Sequence, residues 1–596
     1  MRWLTPLSLA CLCASGVIAK TPDSGVFING AVDDNIILWE ADHDGLNASG
    51  EGVRISKDKG IRFEFNQPNA YGELQVSSPD GWDLNAYVAL AIDLENTGER
   101  PLQILGKLNH NQTAASLISL APDEQETLVL YLFRKQNLSR FEGMNSAPGG
   151  DLRFWGGYDT LTAHSLQFVG MGEESPSGQI AIHRIRAIGK YGQLSPEIDA
   201  FFPFIDRFGQ YAHADWENKV HSKAQLKRLA QKETALLEAC TGVSGWSRYG
   251  GWKDGTQLEA SGHFRTAKHA GKWWLVDPEG YLFWSIGVNG IRFGNATPTD
   301  AREHYFSVLP DGFHNNGGAN FANANMALKY GSNWQQHAAL LSHKRMAAWG
   351  LNTCGNWSSP DIYGQRKTSY VIAIGLGPSK GEAARALRGD ETALRERIAQ
   401  QLTKVADSAN DPWCIGYFVD NELKWDYVPD IEMYYRVVSE EIDKAAPNKL
   451  YLGSRIHNNH TEALAASARY CDVISINCYA HEPIATTHDK PYIIGEFHFG
   501  SLDRGLCSTG LRSAGSQRQR ANSYKFYMRE CMKRANIVGA HWFTFREQAY
   551  TGRGDGENFQ VGLVDICDTP YDEMVNVIRS TAETLYPFRF SYESSR

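Results

Sequence analysis

Two glutamates of this sequence stand where a pair of carboxyl groups would act on one substrate. The segment GYFVDNE ends at Glu422 and the segment YIIGE ends at Glu496, and each begins as an apolar run that predicts a buried strand. One carboxylate after a strand is commonly a cap of the next helix. Two of them, both beside aromatic residues, fit glycoside hydrolysis better, because that reaction needs one protonated and one ionised carboxyl group facing the same sugar.

Both glutamates belong to a part of the chain in which short apolar strands alternate with amphipathic helices. From about residue 251 this pattern predicts an α/β fold with a parallel sheet covered by helices. The predicted strands are Leu282–Val288, Gly350–Cys354, Tyr370–Ile374, Cys414–Val419, Leu450–Gly453, Val473–Cys478, Tyr492–Gly495 and Val538–Phe543. Eight strands of this kind predict a (β/α)8 TIM barrel, in which the carboxyl ends of the fourth and seventh strands bring Glu422 and Glu496 to one mouth. A doubly wound sheet is the alternative, but no glycine-rich phosphate loop follows the first strand.

Four regions are predicted along the chain. Residues 1–19 join a basic start to an apolar run, which predicts a signal peptide and a secreted or periplasmic protein. Residues 20–195 read as short strands between turn signals and predict a β-sandwich that resembles the jelly-roll carbohydrate-binding modules. A capping box that starts at Ser222 predicts a helical connector over residues 196–250, and residues 251–596 form the barrel. Since no Pro/Ser-rich linker separates the two halves, we expect them to be docked rigidly.

The amino-acid composition of the chain indicates which class of binding partner it suits. The chain of 596 residues has 59 Lys and Arg against 68 Asp and Glu, a net charge of −9, which argues against nucleic acid or an anionic membrane surface as the partner. Its 16 Trp, 26 Tyr and 26 Phe supply flat rings that pack against sugars, although most rings are expected in the core. No apolar run after residue 19 is long enough to span a membrane. A neutral saccharide is the partner that fits best.

The cysteines predict neither a metal site nor a dense disulfide framework. Of the ten, Cys11 and Cys13 fall in the predicted signal peptide, and the others are dispersed without a CxxC pair. Most are therefore expected to be buried free thiols, with at most one or two disulfides. No cofactor is predicted.

Three motifs together resemble glycoside hydrolase family 50, the β-agarases: GYFVDNE at 416–422, GEFHFG at 495–500 and HWFTFREQ at 541–548. The resemblance runs from the FPFIDRFG segment at 202–209 to about residue 575. It implies a retaining hydrolase of clan A that cuts the β-1,4 bonds of agarose, often from a chain end with release of neoagarobiose. Agarose and agar-derived oligosaccharides are then the expected binding partners.

The resemblance also assigns roles to residues of this sequence. Glu422 is the implied acid/base and Glu496 the implied nucleophile. Asn421 is expected to hold the hydroxyl next to the reacting carbon, Tyr479 to bond the nucleophile, and Trp542 to form the floor of the reacting subsite.

Polar and aromatic residues after other strands are further candidates for sugar binding. They are Asn289, Asn356, Trp357, Arg455, His457 and His498. Because agarose is uncharged, Arg455 is expected to bond sugar hydroxyls or Glu496. Phe418 and Trp425 flank Glu422 and predict an apolar setting for its carboxyl, and the glycine-rich segment 550–559 predicts a rim loop over the substrate.

Two other functions fit the same sequence. One is a different β-galactoside hydrolase of clan A, a β-galactanase or β-galactosidase. The other is a non-hydrolytic carbohydrate-binding protein in which the sandwich is the working part. The intact pair Glu422 and Glu496 argues against the second, and release of reducing ends from agarose distinguishes the two classes.

Overall fold

The computed structural model describes residues 31–593, apart from residues 42, 58–59, 137–140, 174–177, 195–200, 316 and 458. The predicted signal peptide at residues 1–19 lies outside the described residues. Among the helices that the structure describes, none has the length and hydropathy that a membrane span requires.

Antiparallel strands build the N-terminal part of the molecule. They are β1 (Ala31–Glu40), β2 (Leu46–Glu51), β3 (Val53–Ser56), β4 (Ile61–Phe65), β5 (Tyr71–Val76), β6 (Trp82–Asp83), β7 (Tyr87–Asn96), β8 (Leu102–Leu108), β9 (Asn111–Leu120), β10 (Gln125–Tyr131), β11 (Thr162–Ala163), β12 (Ser165–Gly170) and β13 (Gln179–Leu194). One sheet has the order β10-β7-β13-β4-β3, with β1 paired to β13, and a second has the order β2-β5-β12-β8-β9. Phe63 of the first sheet and Phe168 of the second are both buried, with ring centroids 6.1 Å apart, so the two sheets share one core. The antiparallel sheets predicted for this region are thus present.

A helix connects these sheets to the rest of the chain. It is α1 (Lys223–Glu238), and the side chain of Ser222 accepts a hydrogen bond from the backbone N–H of Gln225, as the capping-box pattern predicts. Glu233 of this helix receives two hydrogen bonds from the buried Arg345, at 2.7 and 2.8 Å, and Arg345 also bonds Asp568. A buried ion pair that loses one partner is costly, so this contact fixes α1 against the C-terminal part of the chain.

The second part of the chain is built on a parallel sheet, preceded by the antiparallel strands β14 (Arg265–His269), β15 (Lys272–Val276) and β16 (Leu282–Phe283). Within the described residues the parallel sheet has eight strands: β17 (Ser285–Val288), β21 (Thr353–Cys354), β22 (Ser369–Ile374), β23 (Cys414–Val419), β24 (Leu450–Tyr451), β25 (Ile474–Asn477), β26 (Tyr492–Phe497) and β27 (Ile537–Trp542). Three short strands, β18 (Thr297–Pro298), β19 (His314–Asn315) and β20 (Gly318–Ala319), form a separate sheet after β17. Each predicted strand overlaps one of the eight parallel strands.

The parallel sheet is strongly curled. Its order is β24-β23-β22-β21-β17-β27-β26-β25. A parallel bridge pairs Ile456, in the segment after β24, with Ile476 of β25. Phe418 on β23 and Ile493 on β26, from opposite halves of this order, belong to one buried cluster. A flat sheet would keep such strands apart, so the sheet wraps around this cluster, while a second core lies between the sheet and the helices.

Helices cover the outer face of the sheet. They are α2 (Phe321–Tyr330), α3 (Trp334–Trp349), α4 (Pro360–Tyr363), α5 (Glu382–Gly389), α6 (Glu391–Lys404), α7 (Ile431–Ala445), α8 (Thr461–Tyr470), α9 (Gln517–Lys533) and α10 (Asp572–Ser591). The regular alternation of strand and helix is interrupted once, because the described residues 478–491 between β25 and β26 contain no helix. This connection is short, and Pro483 and Pro491 lack the backbone N–H that a helix interior needs.

The N-terminal sheets are hydrogen-bonded directly to the parallel-sheet part of the chain. The backbone N–H of Ser119 on β9 donates to Gln519 Oε1 of α9 at 3.0 Å. The side-chain amide of Asn558 exchanges two hydrogen bonds with the backbone of Ser146, at 3.2 and 2.7 Å. These contacts agree with the rigid docking expected from the missing linker.

Candidate active site

A cavity of about 630 Å³ opens at the carboxyl ends of the parallel strands. Its walls are formed by Trp155, Gly290, Arg292, Trp357, Asn421, Glu422, Lys424, His457, Tyr479, Glu496, His498, Leu511, Phe543, Thr544, Arg553, Glu557 and Phe559. Both predicted catalytic glutamates are among them. The cavity therefore holds two carboxyl groups that reach it from different strands of one sheet.

Glu496 is the buried carboxylate of the cavity. It lies on β26, is 5% exposed, and accepts hydrogen bonds from the guanidinium of Arg455 at Oε1 and from the hydroxyl of Tyr479 at Oε2. Burial raises the pKa of Glu496, and the positive charge of Arg455 opposes this shift. The predicted contact of Tyr479 with this carboxyl is present, and Arg455 bonds Glu496, one of the two partners expected for it.

Glu422 is the more open carboxylate. It follows β23, its side chain is 32% exposed, and Oε1 accepts a hydrogen bond from Asn477 Nδ2 at 2.8 Å, with His457 Nδ1 3.8 Å away. The apolar setting predicted for it is wrong. Phe418 points into the core enclosed by the sheet, and the ring of Trp425 stacks on Tyr435 outside the cavity.

Asn421 and Arg455 connect the two carboxylates. Arg455 is fully buried, and its Nε donates to Asn421 Oδ1 at 2.8 Å while its Nη2 donates to Glu496. Asn477 Nδ2 also donates to Asn421 Oδ1, at 3.3 Å. With two donors on its carbonyl oxygen, Asn421 presents its own N–H groups to the cavity as donors.

The backbone is strained at two residues of this wall and at the buried Arg455 beside them. Trp357, Glu422 and Arg455 have φ values of 60°, 48° and 54°, in the left-handed region that residues other than glycine rarely adopt. Such a conformation costs on the order of 1 kcal/mol per residue, and it persists where the surrounding contacts hold it. Asp420 is also left-handed, but its side chain points away from the cavity to Arg388 and Leu376, so it is structural as expected.

The prediction for Trp542 is wrong. This side chain is 0% exposed, its Nε1 donates to the backbone oxygen of Val561 at 2.8 Å, and its ring packs against Phe497 and Tyr524 in the outer core. The next residue, Phe543, lines the cavity instead. Successive side chains of a strand point to opposite faces, so one residue decides which ring meets the substrate.

The six further candidates fall into three groups. Two lie behind the cavity wall, three line the cavity, and the buried Arg455 contacts residues of the wall. Asn289 is buried and donates to the backbone oxygen of Gly495 at 2.8 Å, where it supports the strand that carries Glu496. Asn356 is buried, and its backbone oxygen accepts from Gly290. The residues of this group that line the cavity are Trp357, His457 and His498. Arg455 stacks over the ring of Trp357 at 4.8 Å.

His498 is a neutral support for the side of the cavity that carries Glu496. Its Nε2 accepts a hydrogen bond from the backbone N–H of Leu511 at 2.8 Å, and its ring lies 4.6 Å from that of Tyr479. Burial lowers the pKa of His498 well below its usual range, and the charges of Arg512 and Arg520 act in the same direction. This histidine therefore holds a ring and a loop in place and carries no charge.

Sequence reasoning missed several residues of the site. The rim loop at 550–559 was predicted, but the structure shows that Arg553 and Glu557 pair at 2.8 Å inside the cavity, where Phe559 also lies. Trp155 reaches the cavity from the connection between β10 and β11, and only the fold brings it there. Asn477 had a visible signal, since it is a polar residue at the end of an apolar strand two positions before Tyr479.

In the part of the chain that the structure describes, no group of three or more His, Cys, Asp or Glu is placed to hold a metal ion. The described cysteines are free thiols, and all except Cys240 are buried.

Comparisons with known proteins point to one family. No protein-family model matches the chain. Beta-agarase B of Vibrio sp. (strain JT0107) is 27% identical to it over 95% of this chain and 80% of that protein. Beta-agarase A of the same strain is 24% identical over 83% of this chain and 65% of that protein.

Solved structures agree with these relatives. The agarase AgWH50C is 26% identical and covers 93% of this chain and all of its own, with a TM-score of 0.73. PfGH50B is 25% identical and covers 94% of this chain, with a TM-score of 0.74. An exo-beta-agarase with 24% identity and a TM-score of 0.72 shares the fold. The resemblance carried by the three motifs is thereby confirmed: over almost its whole length this chain is similar to β-agarases and to solved structures of glycoside hydrolase family 50.

Proposed function

We propose that this protein is an exported β-agarase that hydrolyses the β-1,4 bonds of agarose and neoagaro-oligosaccharides with retention, acts from a chain end and releases neoagarobiose. The observation that carries the proposal is the placement of Glu422, just after the fourth parallel strand, and Glu496, on the seventh, in one cavity with different surroundings. The names of the relatives supply the substrate. The two carboxyl groups alone would support a glycosidase without indicating its substrate.

In the first step, Glu496 attacks the anomeric carbon and Glu422 protonates the departing glycosidic oxygen. Arg455 and Tyr479 each donate to one oxygen of Glu496, which orients the carboxylate and favours its ionised form. Tyr479 stays protonated as a donor, because burial and the nearby Glu496 raise its pKa well above the usual range. In the second step Glu422, now ionised, removes a proton from the water that hydrolyses the glycosyl-Glu496 ester.

The remaining walls suit a neutral sugar chain. The N–H groups of Asn421 face the cavity, where they would donate to the hydroxyl next to the reacting carbon. The rings of Trp155, Trp357 and Phe543 offer apolar surfaces to sugar faces. The contribution of Trp155 and of the rim loop to the walls supports action on a chain end.

The same proposal includes the finer architecture. We propose a closed (β/α)8 barrel with an N-terminal jelly-roll module, divided at residues 20–195, 196–250 and 251–596 as the sequence predicts. The bridge between Ile456 and Ile476 supports closure, because it joins the segment that follows β24, at one end of the sheet order, to β25, at the other end. Cleavage of residues 1–19 is tested by N-terminal sequencing of the protein recovered from the medium or periplasm of the expressing cells.

One digestion tests the activity. Purified protein is incubated with agarose and, in parallel, with β-1,4-galactan, and the products are sized over time while proton NMR follows the anomeric signals. We expect neoagarobiose from the earliest time points, with the β-anomer appearing first, and no products from galactan. Long oligosaccharides at early times would contradict action from a chain end, an α-anomer appearing first would contradict retention, and binding without new reducing ends would contradict hydrolysis.

A further inference from the structure

We infer that Asn477 is a positioning residue that holds Glu422 and joins it to Glu496 through a continuous chain of hydrogen bonds. The inference rests on the proposed function, because it assigns Asn477 a task in the work of the acid/base. Asn477 ends β25, the sixth parallel strand, and is 4% exposed, so it reaches the site from within the sheet and not from a loop.

The chain of bonds runs through five side chains. Asn477 Nδ2 donates to Glu422 Oε1 at 2.8 Å and to Asn421 Oδ1 at 3.3 Å. Asn421 Oδ1 also accepts from Arg455 Nε at 2.8 Å, and Arg455 Nη2 donates to Glu496 Oε1. Asn477 thus completes a path from one carboxylate to the other in which every bond has a defined donor.

The acceptors around Asn477 fix the orientation of its amide. Both hydrogens of Nδ2 have an oxygen to bond, one on Glu422 and one on Asn421. The opposite orientation would place the carbonyl oxygen of Asn477 against these two acceptors and lose both bonds. Its Oδ1 instead lies toward Gly495. A side chain at residue 495 would place its Cβ 2.7 Å from this oxygen, so the glycine before Glu496 leaves room for the amide.

This contact makes the two oxygens of the Glu422 carboxyl different. Glu422 is partly exposed, and among the described residues Asn477 is the donor within hydrogen-bond distance of its carboxyl, since His457 Nδ1 is 3.8 Å away. Because Oε1 accepts from Asn477, and a protonated oxygen is a weaker acceptor than an unprotonated one, this bond favours the acidic proton on Oε2.

Two substitutions test this role. Asn477→Ala removes the donor, and Asn477→Asp keeps the shape but places a second carboxyl beside Glu422. We expect kcat on neoagaro-oligosaccharides to fall about 10- to 100-fold in both, with KM changed less than threefold, because the acid/base loses its alignment while the sugar contacts remain. In Asn477→Asp the alkaline limb of the kcat/KM profile should also move to higher pH, because an added negative charge favours the protonated form of Glu422.

A matched control separates positioning from stability. Asn325 is a buried asparagine whose Nδ2 donates to the backbone oxygens of Phe208 and Ile566, and it does not line the cavity. Asn325→Asp should lower the melting temperature and leave the alkaline limb where it is in the wild type. All three variants are compared by thermal unfolding and by full pH profiles.

The outcomes are distinct. The inference is overturned if both Asn477 variants keep wild-type kcat, or if Asn477→Asp loses activity and stability as Asn325→Asp does, with an unmoved alkaline limb. Failure of the proposed function looks different: the wild-type protein releases no sugar from agarose, or Glu422→Ala is fully active. If wild type and Glu422→Ala behave as proposed, the Asn477 variants alone decide the inference.

Discussion

The two carboxylates of the cavity are held in opposite ways. Glu496 is buried on a strand and receives a guanidinium and a phenol hydroxyl, one on each oxygen. Glu422 follows its strand in a left-handed conformation, is partly open to solvent and is bonded by one amide. The difference matches what the two proposed roles need. A nucleophile works when it is fixed and ionised, whereas an acid/base must exchange a proton with the leaving group and then with water.

Removing the nucleophile should give the largest effect. In Glu496→Gln we expect kcat to fall on the order of 10⁴-fold or more, because the amide cannot form the glycosyl ester. The change is nearly isosteric, so the melting temperature should stay close to that of the wild type and binding of neoagaro-oligosaccharides, measured by calorimetry, should persist. Near-normal turnover by this variant would remove Glu496 from the role of nucleophile.

Removing the acid/base should cost less and respond to an added nucleophile. In Glu422→Ala we expect kcat to fall about 10²- to 10⁴-fold, the usual contribution of general acid–base catalysis. On an activated aryl glycoside the first step needs no acid, and azide needs no general base in the second, so azide should raise the rate and yield a β-glycosyl azide, which NMR identifies. Azide should have no such effect on Glu496→Gln, and an equal effect on both variants would erase the proposed difference between the carboxylates.

Removing the positive charge beside Glu496 should change the pH dependence of kcat/KM. In Arg455→Met the positive charge that opposes protonation of Glu496 is gone, so the pKa of Glu496, already raised by burial, rises further. Catalysis needs ionised Glu496, so the acid limb of kcat/KM should move to higher pH and kcat at neutral pH should fall about 10- to 100-fold. Arg455→Lys retains the charge and should show a smaller movement. An unmoved acid limb in Arg455→Met would mean that Arg455 serves packing alone.

A substitution in the N-terminal part of the chain should have the smallest effect on activity. Trp155 is 70% exposed and lines the cavity, so Trp155→Ala removes a ring from a wall without opening a core. We expect KM for agar oligosaccharides to rise about 2- to 10-fold, the range of one aromatic contact, with kcat and melting temperature unchanged. Trp155→Phe keeps a ring and should lie between. A loss of kcat equal to that in Arg455→Met would place Trp155 nearer to the chemistry than the geometry does.

Much of the fold could be predicted from the pattern of apolar residues. Each predicted parallel strand overlaps an observed one, and Cys414–Val419 has the same bounds in both. The capping box at Ser222 marks the start of α1. The connection between β25 and β26 departs from the pattern, because a short segment with two prolines takes the place of a helix.

The direction of side chains was harder to predict than the position of strands. The motif at 541–548 pointed to Trp542, but Phe543 lines the cavity, and Phe418 and Trp425 lie in cores and not beside the carboxyl of Glu422. Strands buried on both faces read as continuous apolar runs, so the alternation that shows which residues face inward is absent from the sequence. Register within the curled sheet then decides the face of each residue.

The sequence by itself determined the class of this protein: a parallel-sheet hydrolase with one glutamate on each of two strands and a motif set that resembles the β-agarases. Only the tertiary structure decided how these glutamates differ. The bonds of Glu496 to Arg455 and Tyr479, and of Glu422 to Asn477, join residues of separate strands. Trp155 enters the cavity from another part of the chain altogether. Such contacts depend on how strands are curled and docked in space, and no local pattern of residues encodes that geometry.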